Sequence, residues 1–91
     1  ASEDVVAAIN ETIKRFSLWF GGATSSAAMG GWYSEELDKV IVEKITIVMS
    51  FCSAESIEEH AGDLLEYAHK IKRDFGQEAV SLEYDNKLFL I

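Results

Sequence analysis

The chain has 91 residues and a mass of 10.1 kDa, which is the size of a single domain spanning residues 1–91. Sixteen acidic against eight basic residues give a net charge of −8, and proline is absent. Contacts to phosphate and to anionic lipid need clustered Lys and Arg, so the charge argues against nucleic acid and membrane surfaces as partners. No apolar stretch approaches the roughly 18 residues needed to cross a bilayer.

Few residues suit redox or metal chemistry. The single cysteine, Cys52, has no second cysteine to pair with in the chain, which favours a reducing, cytoplasmic setting. One cysteine and two histidines are too few for most metal sites, and no phosphate-binding or dinucleotide motif is present. Residues 1–10 are acidic and lack the layout of a signal peptide. We therefore expect no metal and no cofactor.

Helical spacing predicts a first helix that begins near Ser2, the candidate N-cap. From about Arg15 onwards, Phe16, Leu18 and Phe20 alternate with polar or aromatic neighbours, which is the spacing of a strand. The sequence thus predicts that the helix gives way to a first strand near residues 13–16. The residues with helical spacing are Val5, Val6, Ile9, Ile13 and Phe16.

The segment 21–31 contains only Gly, Ala, Ser and Thr apart from Met29, with a glycine pair at each end. This composition predicts a mobile connection or a bulged hairpin. Trp32 and Tyr33 then begin a short second strand, and residues 34–39 form a polar turn.

Residues 39–51 are rich in Val, Ile and Thr and predict the strongest strand. Glu43 shares the inner face of this strand with apolar residues. It is therefore either a partly buried carboxylate with a raised pKa or a residue near the strand start that reaches solvent. The face consists of Ile41, Glu43, Ile45, Ile47, Met49 and Phe51.

A second helix is predicted over 55–75, with Gly76 as its stop. Ser56 and Glu59 fit a capping box, and Ser53 is a competing cap. The apolar stripe is Ile57, Ala61, Leu64, Leu65, Ala68, Ile71 and Phe75. Alternation over 80–84 and 87–91 predicts a final hairpin around an Asp85-Asn86 turn.

The predicted order α-β-β-β-α-β-β indicates an α+β fold. We expect a two-layer sandwich in which two helices cover one face of a mostly antiparallel sheet of about five strands, with a ferredoxin-like arrangement. The other sheet face carries Val40, Val42 and Val48, with Trp19 as a further candidate. A chain this short has nothing left to cover that face, which favours a homodimer or a larger homo-oligomer.

Three groups of residues are candidate binding sites. Gly21, Gly22 and Thr24 belong to a small-residue loop that is either a backbone cradle for phosphate or a flexible hairpin loop. The aromatic residues that bracket this loop form either a binding platform or one end of the core; they are Trp19, Phe20, Trp32 and Tyr33. The acidic turn of Glu35, Glu36 and Asp38 is either a cation site or a solvated turn.

One sequence pattern resembles small uncharacterised bacterial α+β domain families. It consists of a glycine pair, a tryptophan, a glutamate before a β-branched strand, and a helix ending in FGQE followed by an apolar residue. The resemblance implies only a small α+β domain, and it singles out Glu43, Gln77 and Glu78 as a possible polar cluster. The matching residues are Gly21, Gly22, Trp32, Glu43, Phe75, Gly76, Gln77, Glu78 and Val80, within residues 16–84.

Two functional hypotheses follow. The first is a small acidic cytoplasmic protein, non-enzymatic, that self-associates and binds a basic protein surface, as an inhibitor of the mobile-element type would. The alternative is a small-molecule-binding protein or small enzyme, with its site at the glycine loop, Trp32, Tyr33 and Glu43.

Overall fold

A computed structural model describes residues 3–75, 81–84 and 87–90. The α+β class, with two helices and antiparallel strand pairing, is confirmed. Among the residues described, neither helix has the length and apolarity to cross a membrane. The elements in chain order are α1 (Glu3–Phe20), β1 (Thr24–Ser34), β2 (Lys39–Met49), α2 (Ala54–Phe75), β3 (Ser81–Tyr84) and β4 (Lys87–Leu90).

The strands form two separate sheets within the described residues. β1 pairs with β2, and β3 pairs with β4, both antiparallel. The prediction of one sheet of about five strands is therefore wrong. The final hairpin is confirmed, while its predicted Asp85-Asn86 turn lies outside the described residues, as do Ser2 and Gly76.

The predicted first strand at residues 16–20 is wrong, because α1 continues to Phe20. Helical geometry brings Phe16 within 5.7 Å of Phe20 and within 6.4 Å of Trp19, measured between ring centroids. Leu18 points away from this cluster and is 73% exposed. Over a segment of only five residues, Phe16 and Phe20 fit both the spacing of a helix and the alternation of a strand. The packing of the aromatic rings therefore selects the helix.

Gly21 ends α1. Its φ of +93° is costly for a residue with a side chain, and its N–H donates to the Ser17 carbonyl at 2.9 Å. This bond is the single-hydrogen-bond form of the glycine C-cap. It explains the first glycine of the pair without any ligand.

The small-residue segment is a strand from Thr24 onwards, so its prediction as a mobile connection is wrong over most of its length. Pairing with β2 holds this segment in an extended conformation, because the two strands pair residue by residue from Thr24–Met49 to Ser34–Lys39. The polar turn that joins them is confirmed. Ser34 Oγ accepts the Leu37 N–H at 3.1 Å, and Asp38 closes the turn with a φ of +51°.

Ser53, the competing cap in the sequence, is the N-cap of α2. Its Oγ accepts the Ser56 N–H and its carbonyl accepts the Ile57 N–H, both at 3.1 Å. The helix then runs from Ala54, within one residue of the prediction.

The core is small and lies on α2. Its stripe is rotated relative to the prediction, because Leu65 is 41% exposed while Tyr67 is only 6% exposed. The predicted stripe omits Tyr67 because its phenol is polar, although Tyr67 lies three residues after Leu64. The buried apolar residues among those described are Leu64, Tyr67, Ala68 and Leu82.

We expect Leu64→Ala to lower the free energy of unfolding by about 2–4 kcal/mol, because it leaves a cavity in the core. Leu65→Ala removes the same atoms from a site with little burial and is expected to cost less than about 1 kcal/mol. Urea unfolding of both variants measures the difference. Equal losses would contradict the rotated stripe.

Candidate functional site

A group of exposed apolar side chains lies on the β1–β2 hairpin, towards its turn. We call this region the distal surface. Each of its side chains is between 53% and 69% exposed, so neither helix covers it. Soluble monomers seldom expose so many large apolar side chains together. The distal surface consists of Met29, Trp32, Tyr33, Leu37, Val40 and Val42.

Both faces of the hairpin contribute apolar side chains. The register places Tyr33 opposite Val40 on one face and Trp32 opposite Ile41 on the other. The sequence predicts an uncovered face carrying Val40, Val42 and Val48. Of these, Val40 and Val42 are 62% and 60% exposed in the isolated chain, while Val48 is half-buried.

The dimensions of the chain also indicate that it is less compact than a typical monomer of its size. Its accessible surface is 6921 Å², against about 5,300 Å² for a compact monomer of this mass. Its radius of gyration is 14.3 Å, against about 12 Å for a compact domain of this length. The isolated chain therefore exposes on the order of 1,600 Å² more surface than a compact monomer.

Charged residues interrupt the apolar pattern of β2. Lys39, Glu43 and Lys44 are all exposed, and none forms an ion pair within the part of the chain that is described. Glu43 faces Gly30, which has no side chain to contact it. Of the two interpretations of Glu43, the isolated chain therefore has the one in which the carboxylate reaches solvent.

A second feature is a groove of about 310 Å³ at the other end of the hairpin, which we call the glycine groove. Here Ser50 Oγ donates to the Gly22 carbonyl at 2.5 Å, which ties the end of β2 to the glycine pair. Phe51, at the rim, is 91% exposed. The groove is lined by Phe20, Gly21, Gly22, Ala23, Thr24, Met49, Ser50 and Phe51.

A third feature is a groove of about 180 Å³ between α1 and α2 that sequence reasoning missed. His60 stacks on Trp19 with ring centroids 6.0 Å apart, and Arg15 lies 5.5 Å from the centre of the Tyr67 ring. The spacing of His60, Leu64 and Tyr67 on one helix face is the signal that could have found it. The groove is lined by Arg15, Trp19, Asp63, Glu66, Tyr67, Lys70 and Arg73.

The charges of this helix groove largely cancel. Arg15 donates to Glu11 at 2.9 Å, and this hydrogen bond lowers the pKa of the Glu11 carboxyl. Lys70 donates to Asp74 at 2.6 Å and lowers the pKa of that carboxyl in the same way. Both pairs are exposed i,i+4 pairs, which contribute little to stability. The groove thus offers no concentrated charge for a ligand.

Tyr67 connects the two helices through a chain of hydrogen bonds. Thr12 Oγ1 donates its only hydrogen to the Ala8 carbonyl at 2.7 Å, so the Tyr67 hydroxyl donates to Thr12 Oγ1 at 3.0 Å. Burial of Tyr67 raises the pKa of its phenol. The protonated phenol is therefore the form that the fold favours.

The described residues predicted for a single site fall into two separate places on the hairpin, because Trp32, Tyr33 and Glu43 lie in its turn half. Gly21, Gly22 and Thr24 line the glycine groove, whereas Trp32 lies eight residues further along β1. Eight residues of extended strand span about 27 Å. Tyr33 and Glu43 also lie away from the groove residues along the hairpin. Gln77 and Glu78 lie outside the described residues.

The acidic turn holds Asp38 in an internal contact, because the Tyr33 hydroxyl donates to Asp38 Oδ1. This hydrogen bond raises the pKa of the Tyr33 phenol. In residues 3–75, 81–84 and 87–90, no three His, Cys, Asp or Glu side chains are placed to hold a metal ion together.

Comparisons with protein-family models, with curated proteins and with solved structures found no match to this chain.

Tyr67→Phe is expected to lower the free energy of unfolding by about 1 kcal/mol at neutral pH, through loss of the hydrogen bond to Thr12. Tyr33→Phe removes an exposed hydrogen bond, the one to Asp38, which water can replace. It serves as the control and is expected to cost less.

The pH dependence of the same variant tests the raised pKa. An unfolded tyrosine ionises near pH 10, before the folded Tyr67, so the wild type loses this contribution as pH rises from about 10 through the folded pKa. The stability difference between wild type and Tyr67→Phe should therefore shrink in chemical unfolding above that pH. A constant difference would contradict this.

Proposed function

We propose that the protein is a small, non-enzymatic binding protein of the cytoplasm that acts as a homo-oligomer through its β1–β2 hairpin. The distal surface is the observation that carries this proposal. It groups large apolar side chains at one end of a hairpin that the helices leave uncovered. Association is the physical process that removes such a surface from water.

The size of the exposed surface supports a second copy as the partner. A stable interface buries about 800 Å² on each partner. The excess exposed surface of the chain, on the order of 1,600 Å², is sufficient for an interface of this size.

The charge distribution supports a further, basic protein partner for the oligomer. Residues 54–69 of α2 carry five exposed carboxylates and no Lys or Arg. Such a ridge attracts a basic surface and repels nucleic acid. Inhibition of a basic partner, of the mobile-element type, stays a prediction. The carboxylates are Glu55, Glu58, Glu59, Asp63 and Glu66.

The ferredoxin-like arrangement also stays a prediction. The αββαββ order of the described elements contains two consecutive αββ units, and the two hairpins form separate sheets in the isolated chain. The resemblance to uncharacterised bacterial domain families is equally a prediction.

Sedimentation velocity over a wide concentration range tests self-association, and we expect a dimer or larger species for the wild type. Val42→Lys places a charge in the distal surface and should weaken association about tenfold or more, because it buries less apolar area and adds a desolvation cost. Leu18→Lys is the matched control, since it replaces an exposed apolar residue on α1 and should leave association unchanged. A wild type that stays monomeric would refute the proposal.

The glycine groove favours a second candidate function, the binding of a small neutral or cationic molecule. Phe20, Met49 and Phe51 give it apolar walls, and an acidic protein disfavours anions. An enzymatic role would need acid–base or nucleophilic groups at the groove. Its described lining offers only the hydroxyls of Thr24 and Ser50.

Titration with indole, followed by NMR chemical shifts, tests this candidate. We expect shifts around Phe20, Gly22 and Phe51 if the groove binds apolar rings. Gly22→Leu should abolish them, because a side chain at Gly22 enters open space at the groove without backbone strain. Gly21 is unsuitable for this test, since its positive φ would unsettle the helix end. Unchanged spectra of the wild type would count against a small-molecule site.

A further inference from the structure

We propose that two copies pair edge to edge, with β2 of each chain antiparallel to β2 of the other about a two-fold axis at Ile41. The result is a four-stranded sheet in the order β1-β2-β2-β1. This inference rests on the proposed self-association and specifies its geometry. It depends on the free edge of β2, on the charges along that edge, and on their spacing.

One edge of β2 is free among the described strands. β2 pairs with β1 on one side, and within the described residues no strand pairs with its other side. An eleven-residue strand with one open side presents a row of N–H and C=O groups that can bond to another strand. Val40 and Val42 on the turn half of β2 are 62% and 60% exposed, so this part of the strand lies outside the core.

Symmetry then restricts the register. Two antiparallel copies of one strand are related by an axis perpendicular to the sheet, so residues equally distant from the axis face each other on the same side. β2 carries three charged residues. Lys39 and Glu43 share one side of the strand, while Lys44 points to the other side, so Lys44 cannot face the partner's Glu43.

A single register pairs opposite charges within β2. With the axis at Ile41, Lys39 faces the partner's Glu43, and by symmetry Glu43 faces the partner's Lys39. On the other side of the sheet, Val40 faces the partner's Val42. One step beyond the strand, Lys44 comes next to the partner's Asp38.

The alternative registers lack this match. Overlap of the whole strand puts its axis at Lys44, which then faces the partner's Lys44. An axis at Glu43 sets that carboxylate against its own copy. An axis at Val42 puts Lys39 opposite the partner's Ile45 and Glu43 opposite the partner's Ile41. Like charges in directly opposite positions destabilise a strand pair.

Glu43 and Lys39 are available for these contacts. Glu43 faces Gly30 within its own hairpin and Lys39 faces Ser34, so neither meets an opposite charge there. Neither forms an ion pair among the described residues. Cross-strand ion pairs between the two copies would be made twice, once on each side of the axis.

A charge-exchange experiment tests the register by sedimentation velocity. Lys39→Glu and Glu43→Lys should each weaken the dimer about 10-fold to 100-fold, because each replaces two attractive pairs by two repulsive ones. A mixture of the two single variants should form a heterodimer with wild-type affinity, since both of its pairs are again attractive. The double variant should also dimerise.

The outcomes separate this inference from the proposed function. A monomeric wild type overturns both. A dimeric wild type with unaffected single variants overturns the register and leaves self-association standing. Weakened single variants that the mixture does not restore also overturn the register, because the residues then do not face each other.

A disulfide trap gives an independent measurement. In a Cys52→Ser background, Ile41→Cys should form a covalent dimer on mild oxidation, because the two copies of residue 41 face each other across the axis. Ile45→Cys is the matched control on the same side of β2. Its two copies would lie eight residue positions apart, about 27 Å, and should not form a disulfide. Absence of the Ile41→Cys dimer, or equal yields from both, overturns the register.

Discussion

The two helices of this chain bury one small core against β3, and the β1–β2 hairpin, with its two eleven-residue strands, lies largely outside that core. Leu64, Tyr67 and Ala68 of α2 are buried, while Val40 and Val42 of β2 are about 60% exposed. A two-stranded hairpin is only marginally stable in water, and three or more strands are normally needed to hold an apolar face. The rest of the molecule depends on how this hairpin acquires cover.

In the proposed dimer, self-association would raise the number of strands in the sheet that the hairpin forms. Pairing at the β2 edge makes a four-stranded sheet without any new element and doubles the number of strands that share the apolar face. The stability of the hairpin would then depend on protein concentration, since a partner that binds only the folded state stabilises it by mass action. The net charge of −8 opposes association through general repulsion, so a specific local match has to overcome it.

The sequence identifies β2 and α2 well, because each has a long, consistent period that no other structure shares. Prediction from the sequence fails where the apolar residues of a short segment fit both the helical and the strand period, or neither. Phe16, Leu18 and Phe20 alternate, yet Phe16 and Phe20 also continue the helical spacing of Ile13. The contacts among the aromatic rings, including those of Trp19 and Phe20 with His60, favour the helix. β1 has almost no strand propensity of its own and takes its conformation from the register with β2. The predicted site residues are spread apart for a related reason, because closeness in the sequence grouped Gly21 with Trp32, whereas most of a strand separates them.

Glu43 shows how an apparent irregularity in a pattern acquires a physical role. On a covered sheet face, a carboxylate in phase with Ile41 and Ile45 would have to be desolvated, at a cost that favours its protonated form. In an edge strand the same residue stays in water and prevents indiscriminate pairing with other strands, as charged edge residues commonly do. The Glu43 carboxylate disfavours most registers of a second strand, but it is compatible with the register in which an opposite charge faces it. In the proposed dimer, the separation of four residues between Lys39 and Glu43 would therefore combine protection of the edge with selection of a single partner, a second copy of this chain.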